Sequence, residues 1–219
     1  MLGVMHAEYP FSDKISLAFA TPILRLRCPD AAQVNEGLIR AIHEKERAEP
    51  TAGRSLVGGW HSRDDLLDWP CPEIRALRSW IGTAIQEMTK FAMPDLAQGP
   101  PVKVDLGGGA WANIVRDGSY HKIHSHPSCD WSGVYYVAVG QADPNGPPDN
   151  GMIEFLDPRM GATKPGPGGP EALPKLRVPP EAGLMLLFPS WLYHYVNTFH
   201  GTGERISIAF NVTLRIRPA

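Results

Sequence analysis

The chain has 219 residues, 43% hydrophobic and 20% charged, with a formal net charge of −2. That length can bury a real core in one generous domain, and the near-neutral charge excludes a general basic field for nucleic acid or anionic lipid. The first twenty residues mix apolar positions with His6, Glu8, Asp13 and Lys14, no run of eighteen apolar residues occurs, and Cys28, Cys71 and Cys129 are odd in number and far apart, so no secretory signal, membrane span, disulfide framework or cysteine-rich zinc site is expected and a reducing cytoplasm is the default.

The first hundred residues carry helical periodicity. Asp30 is placed to cap a helix whose apolar positions Val34, Leu38 and Ile42 recur every four residues, with "HEKERAE" as its polar end. Ser62 and Asp65 resemble a short capping box. Ile74, Leu77, Ile81, Ala84, Ile85, Met88 and Ala92 trace one face of a second helix, which starts after "WPCP" and is stopped by Pro94.

From about residue 101 the texture changes to short β-branched and aromatic runs separated by turn residues: "WANIV", "GVYYVAV", "MIEFL", "LRVPP", "GLMLLFPS" and "RISIAFNVTLRI". Strands without intervening helices favour an antiparallel sandwich or barrel with the helices packed outside it. One domain is expected over 1–219, with 1–100 as its helical part and 101–219 as its β core. The proline- and glycine-rich tracts at 142–151 and 164–174 read as loops that form a rim or lid over a cavity. "LGGG" at 106–109 and "GPGGP" at 166–170 lack the context of a nucleotide site, and Ser190 with His194 lacks the acidic partner of a hydrolase.

In the last strand Ile206, Ile208, Phe210 and Val212 alternate with Arg205, Ser207, Ala209 and Asn211. Either the polar face meets water, the commoner arrangement, or the apolar face packs on the helices and the other lines a cavity, where small Ser207 and Ala209 beside Arg205 leave room for an anion. "HKIHSHP" poses a similar choice. His124 and His126, two apart, present both imidazoles to one side for a metal, or they belong to a polar turn. His194, at the end of the apolar run "LLFPSW", is the candidate third ligand or a core histidine bonded to backbone.

The order His124-x-His126, His194, Arg205-x-Ser207 on successive β elements resembles the 2-oxoglutarate/Fe(II)-dependent oxygenases. "WANIVRDGSYHKIHSHPSCDWSGVYYV", "GMIEF" and "GLMLLFPSWLYHYVNTFHGTGERISIAFNV" are similar to one bacterial and phage subgroup, as is "GGWHS" upstream, so the resemblance covers 101–213 well and the helical part more loosely. It implies a mainly β (α+β) fold with a double-stranded β-helix (jelly-roll, cupin-like) core. It further implies Fe(II) on His124, His126 and His194, with 2-oxoglutarate and O2 as cosubstrates. Arg205 and Ser207 would hold the distal carboxylate of 2-oxoglutarate, Tyr136 would add its hydroxyl as in prolyl-hydroxylase-like members, and Asn113 would touch cosubstrate or substrate. The implied reaction is hydroxylation of a second substrate, with 2-oxoglutarate decarboxylated to succinate.

The chain departs from the family at His126, where most relatives carry a carboxylate. Asp130 and His121 are alternative ligands, ranked behind His126 because its two-residue spacing keeps the family's frame. Three imidazoles also suit zinc or a cupin-type iron or nickel site. A cupin-like metalloenzyme without 2-oxoglutarate and a non-catalytic, metal-containing β-sandwich that binds a sugar or peptide therefore stay open. The prime substrate, small molecule or side chain, is not legible, and a homodimer is compatible with this reading.

Overall fold

The computed structural model describes residues 20–53, 55–94, 102–159 and 175–218. The run after Asp30 forms α1 (Ala31–Ala48), which buries Asn35, Gly37, Leu38 and Ile42. Asp30 holds the cap position with φ 53° and makes no side-chain cap bond, so its contribution is a left-handed backbone rather than a carboxylate on the helix start. The second run forms α2 (Ile74–Ala92), burying the expected face from Ile74 to Met88 together with Trp80, while Ala92 in the last turn is exposed. Ser62 does not cap the short 3-10 turn Leu66–Asp68. Its hydroxyl accepts from Ala112 N at 2.9 Å and donates to Arg63 O at 2.7 Å, which pins the segment to a strand instead.

In chain order the strands among the described residues are β1 (Leu24–Arg27), β2 (Leu56–Val57), β3 (Trp60–His61), β4 (Val102–Val115), β5 (Tyr120–His124), β6 (Trp131–Ala142), β7 (Ile153–Leu156), β8 (Lys175–Val178), β9 (Leu184–Pro189), β10 (His194–Val196) and β11 (Gly201–Pro218). They make two antiparallel sheets, ordered β1-β9-β6-β11-β4-β3 and β2-β5-β10-β7-β8. This is the mainly β jelly-roll architecture the sequence implied. The tract at 164–174 lies outside the described residues, while 142–151 links β6 to β7.

The alternation in β11 resolves in favour of a cavity. Ile206, Ile208, Phe210 and Val212 join Leu38, Ile42, Leu77 and Ile81 in the core between the six-stranded sheet and the helices. Arg205, Ser207, Ala209 and Asn211 face the space between the sheets. β9 is buried along its whole length because it serves both layers: Met185 and Leu187 join the helix-side core, whereas Leu184, Leu186 and Phe188 pack between the sheets. That double burial is why its sequence shows no alternation. α1 is tied to β6 by polar contacts: Tyr135 Oη donates to Asn35 Oδ1 at 2.7 Å, and Asn35 Nδ2 donates to Val137 O at 2.9 Å.

Gly133 marks a close approach within the larger sheet. A Cβ there would lie 2.2 Å from Phe210 Cζ and 2.8 Å from Leu186 O, and the second neighbour is backbone. Gly133→Ala is therefore expected to cost about 1–3 kcal/mol through overpacking. Thermal unfolding checks this, and an unchanged midpoint would show that the sheet yields there.

Candidate metal centre and cosubstrate pocket

β5 ends at His124, and the chain then turns so that His126 N donates to Ser190 O at 2.7 Å. β10 begins at His194, which stands opposite His124 on one side and Phe155 on the other. Ring centroids lie 5.0 Å apart for His124 and His126, 4.4 Å for His124 and His194, and 5.5 Å for His126 and His194. Each ring offers a nitrogen within 4.8 Å of the other two, close enough for one ion to span all three.

Two of the rings are already oriented. His124 Nδ1 lies 2.6 Å from Lys122 O and His194 Nδ1 lies 2.9 Å from Leu192 O. A carbonyl can only accept, so both rings carry the proton on Nδ1 and leave Nε2 for a metal. Burial, reinforced by neighbouring His124, lowers His194 to about 3, and burial lowers His124 as well. Both are held in the neutral form that ligation requires.

A stability consequence follows. In the unfolded chain a histidine titrates near ~6.5, whereas folded His194 refuses a proton until about 3. The unfolded state therefore binds more protons between those values. Metal-free protein should lose stability as pH falls from ~6.5 towards 3, by up to about 1.4 kcal/mol per pH unit from this residue. Denaturant unfolding from pH 7 to pH 5, for wild type and His194→Ala, checks the slope; equal slopes would refute the assignment to His194.

Asp130 and His121 stand outside the three-histidine group. The Asp130 carboxylate accepts from Leu214 N at 2.7 Å, which turns it to the β11 backbone. His121 is buried, its Nδ1 is 3.4 Å from Ser55 Oγ, and burial together with the Arg205 charge pushes its pKa well below the usual histidine range.

Between the sheets, a cavity of about 50 Å³ connects the histidines to Arg205. This exceeds the ~10–15 Å³ that one water requires. Strand register builds its wall: Asn113 on β4, Ser207 on β11 and Tyr136 on β6 stand opposite one another in a row across three strands, which His61 on β3 continues outside the cavity lining. Arg205 is 1% exposed, its guanidinium lies 5.1 Å from the Tyr136 ring centre, and Nε and Nη1 have no hydrogen-bond partner among the described residues. The Tyr136 hydroxyl and Asn113 Oδ1 are likewise buried without partners there. Burial raises the Tyr136 pKa against the opposing Arg205 charge, so its hydroxyl keeps its proton as a donor. An unpaired buried cation beside an idle donor is costly unless an anion enters. The residues present thus fit a divalent cation at one end and a carboxylate at the other.

Sequence reasoning missed several residues here. Trp111 lies 5.7 Å from His61 and 5.9 Å from His126, ring centre to ring centre. Asn211 reaches His126 Nδ1, and Ser132 reaches Asn211. Asn211 was visible on the cavity-facing side of β11, but no motif singled it out. Behind β10, buried Glu154 accepts from Tyr195, Arg177 and Asn197 at 2.6 to 2.9 Å and pairs with Lys175 at 3.1 Å. Burial alone would raise its pKa, yet these partners hold it at about 2, so a permanent anion locks β7, β8 and β10 together beside His194.

Residues 109–211, just under half the chain, match the sequence profile of the family described as "Putative 2OG-Fe(II) oxygenase". All the residues named for the metal and cosubstrate sites fall inside that span. Among solved structures, a Pseudomonas putida prolyl-4-hydroxylase superposes with a TM-score of 0.60 at 14% identity, covering 88% of this chain and 92% of its own. HygX from Streptomyces hygroscopicus, solved with nickel, 2-oxoglutarate and hygromycin B, gives 0.58 at 13% identity, with 88% and 83% covered. A Trichoplax adhaerens prolyl hydroxylase in complex with a hypoxia inducible factor peptide gives 0.57 at 13%, with 87% and 83% covered. At such identities the likeness is one of fold. No curated protein matches the chain.

Proposed function

Taking residues 109–211 as a member of the 2OG-Fe(II) oxygenase superfamily, we propose that this protein is an Fe(II)/2-oxoglutarate-dependent dioxygenase that hydroxylates a second substrate while 2-oxoglutarate is decarboxylated to succinate. The observation that carries the reading is Arg205: a guanidinium 1% exposed, without a carboxylate partner among the described residues, in the same cavity as three converging histidines.

His124, His126 and His194 would hold Fe(II) by one nitrogen each. Bound there, the iron supplies the O2 chemistry that couples cosubstrate oxidation to C–H hydroxylation. The protein's own work is binding and orientation. The planar fork of Arg205 suits the distal carboxylate of 2-oxoglutarate better than an ammonium would, and Tyr136 donates its retained hydroxyl proton to the same group. Ser207, in register with Tyr136, adds a second hydroxyl, and Asn113 closes the wall as an acceptor. Phe155 and Phe188, 5.9 and 4.8 Å from the His194 ring, exclude water behind the histidines.

The second substrate is a small molecule or a side chain, classes that the HygX and prolyl hydroxylase complexes exemplify for those proteins. A reducing cytoplasm fits the free cysteines: buried Cys28 has its thiol pushed up to about 12 and is inert to exchange. No helix among the described residues is long and apolar enough to cross a membrane.

The test is succinate production from 2-oxoglutarate under air with Fe(II) and ascorbate, which uncoupled turnover reveals even without the second substrate. Slow succinate formation that Arg205→Ala abolishes is the expected result. If iron-loaded protein neither binds nor consumes 2-oxoglutarate and Arg205→Ala changes nothing, the oxygenase reading fails and the cupin-like three-histidine enzyme takes its place.

A further inference from the structure

His124 and His194 receive their tautomer from the carbonyl two residues back, but His126 has left the strand and is matched with Asn211 on β11. Its Nδ1 lies 3.3 Å from the Asn211 amide nitrogen, and the amide oxygen accepts from Ser132 Oγ at 2.7 Å. In that orientation the amide donates to Nδ1, so the neutral ring keeps its proton on Nε2, the nitrogen a metal would need. Turning the amide by 180°, with the Ser132 hydroxyl rotated to accept, reverses both bonds and displaces almost nothing, because the two ends of an amide have nearly the same shape. The backbone there has little freedom to shift. A Cβ at Gly108 would lie 1.9 Å from Asn211 O, and Asn211 is paired with Ser132 on one side and Gly109 on the other.

We propose that Asn211, backed by Ser132, sets the tautomer of His126: in the metal-bound protein its Oδ1 accepts from Nδ1–H and frees Nε2 for the ion. A carboxylate ligand has no tautomer and would need no such partner, so Asn211 complements the histidine that departs from the family pattern. It is a positioning residue, and the inference rests on the reading of His126 as a ligand.

Cobalt(II) titration followed by visible absorption, on wild type, Asn211→Leu, Asn211→Asp and His126→Ala, tests it together with long-range ¹⁵N NMR of the imidazoles in zinc-loaded wild type. Asn211→Leu should weaken Co(II) binding about 10–100-fold, as loss of a ligand's orienting partner does. Asn211→Asp, whose side chain can only accept, should stay within a few-fold of wild type and keep its spectrum. In the zinc-loaded protein the His126 proton should be on Nδ1. Metal on Nδ1, wild-type binding by Asn211→Leu, or equal loss by Asn211→Asp and Asn211→Leu overturns the inference. Wild-type affinity in His126→Ala would instead overturn the ligand reading, and the NMR arm needs no variant to fold.

Discussion

Arg205→Met should make the ligand-free protein more stable while removing its response to 2-oxoglutarate. The wild-type guanidinium is almost fully buried, and two of its nitrogens lack partners among the described residues. Replacing buried charge by an apolar side chain of similar length is often stabilising by about 1–4 kcal/mol, which corresponds to roughly 2–4 °C per kcal/mol in a chain of this size. Wild-type protein, loaded with a redox-inert divalent metal, should be stabilised by millimolar 2-oxoglutarate through mass action. The variant should show no such shift, and its half-saturating 2-oxoglutarate concentration should rise about 30-fold or more, since losing one partner of a buried charge pair costs ~2–5 kcal/mol. Arg205→Lys, which keeps the charge without the fork, should fall between. Differential scanning fluorimetry with and without 2-oxoglutarate reads both effects. A thermal shift retained in Arg205→Met would remove Arg205 from the cosubstrate site.

Loss of His194 should abolish stable metal binding, whereas a carboxylate at position 126 should preserve it. His194→Ala leaves two ligands and opens a hole beside Phe155 and Phe188, so the fall in metal affinity should exceed about 1000-fold. His126→Asp restores the commoner family set at the same spacing and should retain iron and succinate formation. Asp130→Ala should keep full metal occupancy and lose about 1 kcal/mol of stability, because its carboxylate accepts the Leu214 amide. Metal quantification after gel filtration separates these outcomes. Full occupancy in His194→Ala, or loss of metal in Asp130→Ala, would redraw the ligand set.

How much of this was legible in the sequence depended on whether a residue's surroundings were local. The α2 face and the β11 alternation were plain, because each element has one helix-side core to meet and its period shows. β5 and β10 carry no such period of their own. β5 is "YHKIH" and β10 only "HYV", and both are held by partners far away in sequence. The histidines could be ordered as a site only through the resemblance, since spacing alone gives the pair at 124 and 126 but not the turn that delivers His194. Asp130 is an alternative ligand if its loop folds back, and it faces elsewhere because the Leu214 amide, on β11 beyond its pairing with β6, claims it. That Arg205 Nε and Nη1 lack partners among the described residues was invisible, for the absence of a partner is a property of the packed molecule.

β11 carries alternate residues into two compartments, the core under the helices and the wall of the cavity. Substitution can therefore tune one face without disturbing the other, but an insertion or deletion of one residue cannot. A single-residue frameshift of the polypeptide at position 204 would send Arg205 and Ser207 under the helices and swing Ile206 and Ile208 into the cavity, losing stability and cosubstrate binding in one event.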